Sequence, residues 1–231
     1  MPEELVNTLQ QLADVLQTHR TLGVALASIA EAAAESVPGC DAATIAISIG
    51  GRPATAATTG TVALELDLVQ YDTDDGPCLT SFRSASTLRL DLYEQHEVFP
   101  HVAVAAQRFG IRAVLSVPAI WGGETIATLN LYSRGAPFDE SAETVAAVLA
   151  AQVAIAVSRS PEFVAARAVV EEAQRTADDH SQIAIATGLL IGSQDCTTEQ
   201  AEGLLRHAAT EDEQSILQIA RRIIEQHDST R

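Results

Sequence analysis

The residues able to do chemistry in this sequence are few and widely spaced. Cys40, Cys78 and Cys196 lie far apart and form no CxxC or Cys/His metal spacing. That pattern implies reduced thiols in a cytosolic protein. Cys78 follows Gly76-Pro77 at the expected start of a helix, where a thiol gains reactivity. It has no resolving cysteine nearby, so a buried, inert thiol and no enzymatic activity are expected. The acidic run at 72–75, DTDD, lacks the spacing and the glycine of a calcium loop. His96 and His101 flank a loop without a carboxylate or cysteine at ligand spacing, and read as surface histidines. No Gly-rich phosphate loop and no HExxH is present, and no cofactor is expected. The cationic groups near the C-terminus remain: Arg206, Arg221 and Arg222, with His180. They can hold phosphate, or they can pair with nearby acids, as Glu202 would pair with Arg206 at i,i+4.

Composition weighs against broad anion binding. Fourteen cationic residues, every one an arginine, face 31 acidic ones, giving a net charge of −17 over 231 residues. Such a field disfavours general affinity for nucleic acid or anionic lipid, while leaving room for a small local site. Hydrophobic residues make up 47% and aromatics only 4%, so the core must be built from Ala, Val, Leu and Ile. The start, MPEELVNTLQQL, has no basic or apolar leader, and Gln152, Ser158 and Arg159 interrupt the longest apolar run. A cytoplasmic protein with no membrane contact is expected.

The elements that must position these residues follow from periodicity. Leu5, Leu9, Leu12 and Leu16 recur at helical spacing. Leu22, Leu26, Ile29 and Ala33 mark a second helix that stops at Pro38-Gly39. Ile45, Ile47 and Ile49 alternate as in a strand, and a second short strand follows at about 54–58. Leu64, Leu68 and Tyr71 align on a helix over 61–71. DTDDGP reads as a turn, CLTSFRSA as a short helix, TLRL as a strand, and VAVAAQRF as a helix ended by Gly110. Two strands joined at Trp121-Gly122-Gly123 form a hairpin. Asp139 N-caps a long helix, and Ser160-Pro161 opens another. From there the chain is helical only. One helix presents Ile183, Ala186 and Leu190. The next starts at a Thr197–Gln200 capping box and presents Ala201, Leu204, Leu205 and Ala208. The last is expected to start at a second box, Thr210–Glu213, and presents Ile216, Ile219, Ala220 and Ile223. On that reading Glu211, Asp212 and Glu213 occupy a helix first turn, where the macrodipole favours them.

HSQIAIATGLLIGSQDCTTEQAEGLLRHAA and ILQIARRII resemble the ANTAR domain, a three-helix RNA-binding module of bacterial antiterminators. Ile183, Ala186, Gly188, Leu189, Leu190, Ala201, Leu205, Arg206, Ile216, Ile219 and Ala220 match its pattern. The departures fall on polar positions. Thr187 stands where the family has Lys, His180 where a basic residue is usual, Ala209 where Ser is usual, and Glu213 where Asn is usual. From Arg175 to Arg231 five arginines face ten acids, a net of −5. The resemblance implies an RNA-hairpin partner and an RNA-binding set of Arg206, Arg221, Arg222, His180 and Thr187.

DDGPCLTSFRSASTLRL, VLSVPAIWGGETIATLNLYS and FDESAETVAAVLAAQVAIAVS resemble the GAF domain, in particular those that precede ANTAR modules in actinobacterial regulators. GAF domains are small-molecule or redox sensors, and the resemblance implies an unknown signal of that kind. Candidate ligand-lining residues are Phe82, Phe99, Arg112, Ser116, Trp121, Asn130 and Tyr132. Trp121 either lines the pocket or covers the hairpin, and Arg112 either binds an anion or makes a surface ion pair. Asn130 and Ser116 either face the ligand or face solvent between Leu129, Leu131, Leu115 and Val117.

The expected fold is an α+β GAF domain, an antiparallel sheet with flanking helices, followed by a connecting helix and an all-α three-helix ANTAR domain. The expected boundaries are an N-terminal helix over 1–20, GAF over 21–160, a connecting helix over 161–180 and ANTAR over 181–231. The expected function is a signal-responsive regulator acting by transcription antitermination. A ligand-sensing protein–protein scaffold without RNA binding is the alternative. A homodimer is expected, with a seam at Leu5, Leu9, Leu12 and Leu16 and close approach at Ala147, Ala150, Ala151 and Ala154.

Overall fold

The computed structural model describes residues 22–49 and 52–229. The expected N-terminal helix, with Leu5, Leu9, Leu12 and Leu16, lies outside them. The chain divides into two compact units, one through Arg167 and one from Ala168 onward.

The first unit is built on one antiparallel sheet. Its strands are β1 (Ala42–Ile49), β2 (Arg52–Thr58), β3 (Leu88–Asp91), β4 (Ala113–Trp121) and β5 (Glu124–Ser133), in the order β2-β1-β5-β4-β3. β4 and β5 form the expected hairpin. Trp121 pairs with Glu124, and Gly122 and Gly123 both take positive φ, as a two-residue primed turn requires. Helices cover both faces of this sheet, so the period-2 alternation of its strands separates two buried environments.

One face is apolar. Ile45, Leu115, Val117, Leu129 and Leu131 pack against α1 (Leu22–Ser36) and α5 (Glu140–Ser158) in the main hydrophobic core. Asp139 caps α5 by accepting the Ala142 amide at 2.8 Å. By length and composition α5 is apolar enough to cross a membrane, although Gln152 interrupts its apolar run as expected. Half of it is buried within this unit, including Val145, Leu149 and Val153 against the sheet. Ala150 and Ala154 are buried in the same core, so they are not part of an outward alanine face; Ala147 and Ala151 are exposed.

The opposite face is covered by α2 (Thr61–Thr73), α3 (Pro77–Ser84) and α4 (Pro100–Phe109). Here a second apolar cluster includes Leu66, Leu92, Phe99, Val102, Ile111, Val114 and Tyr132. α2 differs from its expected orientation. Ala63, Leu66, Asp67 and Gln70 are its buried residues, while Leu68 is 43% exposed. Leu68 therefore points outward, while Tyr71 reaches Thr55 with its hydroxyl. The helix also takes in Asp72 and Thr73, and Asp74 ends it in the left-handed conformation.

The second unit is helical. α6 (Pro161–Gln194) is one continuous helix that begins in the first unit and ends in the second. Ser160 caps it, accepting the Phe163 amide at 3.2 Å. α7 (Thr198–Glu211) starts at the expected capping box, with Thr197 and Gln200 exchanging side-chain and backbone bonds. α8 (Ile216–Asp228) starts at a box made by Ser215 and Gln218. The expected Thr210–Glu213 box does not form, because α7 runs on to Glu211. Glu213 then turns in the left-handed conformation, φ 52°. Glu211 and Asp212 consequently sit at a helix C-terminus, where the dipole disfavours them by about 0.3–1 kcal/mol each. Ala186, Leu205, Ile219 and Ala220 form the core of this unit, joined by Ile183, Leu190 and Ile216. Leu204, expected inside, is 40% exposed.

Candidate functional site

Between the sheet and α2–α3 lies a buried polar layer. Thr44, Asn130 and Ser116 occupy one cross-strand row, since Asn130 pairs with Thr44 on one side and Ser116 on the other. Thr128 and Tyr132 flank Asn130 at two residues' distance and therefore point the same way. All five are fully buried. This removes the solvent-facing reading of Ser116 and Asn130: their neighbours do alternate with apolar residues, but helices cover both sides.

Asp67 of α2 is the centre of this layer. It is fully buried. Tyr132 Oη donates to its Oδ1 at 2.6 Å and Thr55 Oγ1 donates to its Oδ2 at 2.7 Å. Asn130 Nδ2 approaches Oδ1 at 3.5 Å and donates to Thr44 Oγ1 at 3.2 Å. Because the Thr55 proton is committed to Asp67, the 2.9 Å contact between Tyr71 Oη and Thr55 Oγ1 assigns Tyr71 as donor. Burial pushes the Asp67 pKa up to about 6, against the pull of the Tyr132 and Thr55 hydrogen bonds. Among the described residues, Asp67 has no ion-pair partner.

α3 closes over this layer. Gly76 precedes it with φ 143°, and a Cβ there would lie 2.4 Å from the Gln70 side chain. Gln70 Oε1 accepts the Cys78 amide at 2.8 Å, so a close backbone approach places the first turn of α3. The Gln70 amide nitrogen donates to Tyr132 Oη at 3.4 Å, and Ser81 donates to the Ser116 carbonyl at 3.2 Å. Cys78 is buried as expected, its thiol beside Asn130 and Thr128 but outside hydrogen-bond geometry with either. Burial, then the Asp67 charge, raises its pKa well above the ordinary thiol range. Any lowering by the helix N-terminus is overwhelmed. Three side-chain atoms in this layer have no hydrogen-bond partner: Ser116 Oγ, Thr128 Oγ1 and Asn130 Oδ1.

The other candidates lie elsewhere. Arg112 makes the ion-pair alternative, with Nε and a terminal nitrogen donating to Asp91 Oδ2 at 3.1 and 2.9 Å. Burial works to raise the Asp91 pKa, but the Arg112 hydrogen bond and the Tyr93 and Glu94 amides hold it below the usual carboxylate range. Trp121 is 52% exposed at the hairpin tip, outside the polar layer. Phe82 is half-buried on α3, and Phe99 is buried in the apolar cluster with Tyr132. A surface groove of about 260 Å³ between α2 and α4 is lined by Val69, Asp72, Thr73, His101, Val104, Ala105 and Arg108, none of them a candidate. Thus Ser116, Asn130 and Tyr132 belong to one site, with Tyr71, which periodicity placed on its helix, and with Thr44, Thr55, Asp67, Gln70 and Thr128, which periodicity did not single out. The signal available in the sequence was the polar pair Asp67/Gln70 at i,i+3 on a helix.

In the second unit the candidate arginines are exposed and individually paired. Arg206 reaches Glu202 at 3.4 Å. Arg221 donates to Gln182 at 2.7 Å and approaches Asp179 at 3.4 Å, both on α6. Arg222 meets Asp212 of the α7–α8 turn at 2.5 Å. They therefore engage three different acidic partners. His180 is exposed. Thr187 is buried and its hydroxyl donates to the Ile183 carbonyl at 2.8 Å, which removes it from the RNA-binding set.

Comparison with known proteins places both units. The GAF domain family matches residues 3–157 and the ANTAR domain family matches residues 165–224. No curated protein matches the chain. The sheet unit is similar to the GAF domain of a phosphoenolpyruvate-protein phosphotransferase from Coxiella burnetii (20% identity, TM-score 0.53, covering 67% of this chain and 93% of that one). It is also similar to the nlh2 GAF domain of A. aeolicus (15% identity, TM-score 0.52, 67% and 96% covered). A third similar structure is a free methionine-R-sulfoxide reductase from Neisseria meningitidis in complex with its substrate (17% identity, TM-score 0.52, 71% and 91% covered). At these identities the likeness shows the fold alone. With its five-stranded sheet flanked by helices and its three-helix second unit, the chain belongs to the GAF family and joins a GAF domain to an ANTAR domain, the arrangement of a signal-responsive regulator.

Proposed function

We propose that the polar layer beneath α3 is the signal site of a cytoplasmic, homodimeric regulator, and that its occupancy controls binding of an RNA hairpin by the ANTAR unit, with transcription antitermination as the output. One observation carries the sensor half: three fully buried polar atoms without partners, gathered under a short helix. Each such atom costs roughly 1–3 kcal/mol when left unmet, and a bound molecule would recover it. We assign no catalytic step, since Cys78 lies buried with its pKa raised. The signal would pass along α6, whose residues belong to both units.

The output half rests on the ANTAR match and on Arg206, Arg221 and Arg222 as phosphate contacts. The test is binding of the full chain to a labelled paired-hairpin antiterminator RNA across a salt series, beside Arg206→Ala and the double variant Arg221→Ala/Arg222→Ala. Each lost phosphate contact lowers the salt slope by about one unit. Binding that is salt-dependent and weakened in both variants supports the reading.

A second reading has its own observation. Every one of these three arginines is already paired with an acid, within a segment of net charge −5. That favours a protein–protein scaffold. Absence of hairpin binding at low salt, by wild type and variants alike, would favour this reading over the first.

A further inference from the structure

The polar layer is chemically one-sided. Asp67 contributes a carboxylate, and none of the polar side chains around it, from Thr44, Thr55, Gln70, Tyr71, Ser116, Thr128, Asn130 or Tyr132, is a cation. Arg83 of α3 is engaged with Asp74, Arg112 just before β4 with Asp91, and Arg108 of α4 lines the surface groove. An anionic ligand would therefore meet a buried carboxylate and no positive charge, which is costly at low dielectric.

The unmet atoms point to the complementary class. Asn130 Oδ1 is a carbonyl oxygen and can only accept, and with Nδ2 turned to Thr44 and Asp67 it is left unmet. Ser116 Oγ and Thr128 Oγ1 each offer acceptor lone pairs as well as one O–H donor, so the class is set by Asn130 Oδ1 and the Asp67 charge. A group with several N–H donors beside Asp67 would satisfy all three and supply the missing counter-charge.

Resting on the reading of this layer as the signal site, we infer that its ligand is a small organic cation bearing N–H donors, of the ammonium or amidinium class. Asp67 is its counter-ion, and Asn130, Ser116 and Thr128 are its acceptors. Entry requires α3 to lift, since Gln70 and Ser81 tie that helix to the layer.

The test uses three planar probes of one shape and three charges: acetamidinium, acetamide and acetate. Each is titrated against the full chain while the thermal midpoint is followed. A saturable rise with acetamidinium, larger than with the other two, is expected. Asp67→Asn should weaken it about 30-fold or more, because the buried charge partner is removed. Thr128→Val should do two opposite things: raise the midpoint of the free protein by deleting an unmet hydroxyl, and weaken acetamidinium binding. A purely structural role for Thr128 would not produce the second effect. Stabilisation by acetate or acetamide that equals or exceeds that by acetamidinium overturns the cation class while leaving the signal site in place. An acetamidinium effect unchanged in Asp67→Asn also overturns it, by placing the probe elsewhere. No saturable shift with any probe overturns both the class and the site.

Discussion

The polar layer of the GAF unit and the arginine surface of the ANTAR unit carry similar groups in opposite settings. In the layer, Asp67 has no accessible surface and rests on the hydroxyls of Tyr132 and Thr55. On the ANTAR unit, Arg206, Arg221 and Arg222 are exposed and lie beside acids. Water separates the two cases energetically. A buried polar group that loses its partner costs about 1–3 kcal/mol, and more if charged. An exposed ion pair contributes about 0–1 kcal/mol. Changes in the layer should thus register as stability, and changes on the arginine surface as binding.

The largest effect that would test this contrast is at Gly76. Its φ of 143° is open to few residues but glycine, and an added Cβ would meet Gln70 at 2.4 Å. Gly76→Ala should destabilise the GAF unit by roughly 2–5 kcal/mol, combining backbone strain with overpacking. A urea midpoint close to wild type would mean that α3 is held far less tightly than its contacts indicate.

Asp67→Asn tests the charge itself. The folded pKa is about 6, above the ordinary value of 3.8. The folded protein therefore holds this proton over a window in which the unfolded chain has released it. Stability from this group is full below pH 3.8 and is lost as pH rises toward 6. The loss is on the order of 3 kcal/mol. Asn cannot titrate, so the wild-type minus variant difference in urea stability should fall across that window and then level. A flat difference would show that Asp67 stays ionised throughout. Asp91, held below the usual range, titrates with the opposite sign and cancels in the difference, because both proteins contain it.

How much of this was legible in the sequence depends on what alternation can say. Ile45 and Ile47 announced a strand, and Trp121-Gly122-Gly123 announced its hairpin. The apolar positions of the last three helices were right at Ala186, Leu205, Ile219 and Ala220. Alternation does not reveal whether the polar face is wet. Ser116 and Asn130 carry the same pattern whether water or α3 lies above them. α2 misled for a related reason: its exposed Leu68 is more apolar than its buried Asp67 and Gln70. The α7–α8 turn held two sequences fitting a capping box, Thr210–Glu213 and Ser215–Gln218. Only the extension of α7 to Glu211 selects the second.

On the arginine surface the expected stability effects are small. Arg221→Ala and Arg222→Ala should each change the stability of the protein by no more than about 1 kcal/mol. Arg221 has the stronger local hold, since it bridges α8 to both Gln182 and Asp179 of α6. A loss of several kcal/mol from either variant in chemical denaturation would mean these arginines are structural pins of the three-helix unit. Their availability to phosphate would then come only at the expense of that unit's packing.

The smallest effect is the most discriminating, because it should have the opposite sign. Gly188 sits in the interior of α6 on an exposed face, and a Cβ built there meets nothing within 4 Å. Glycine at such a position lowers helix stability by about 0.8–1 kcal/mol relative to alanine. Gly188→Ala should therefore raise the denaturation midpoint of the second unit by an amount of that order. If a partner's backbone or sugar–phosphate chain approaches α6 closely there, the same methyl would obstruct it. Binding of the hairpin RNA would then fall in a variant that is more stable than wild type. Stability gained with RNA binding intact would place the contact surface away from Gly188. Stability lost would contradict the open space above the helix, because no intramolecular contact is there to break.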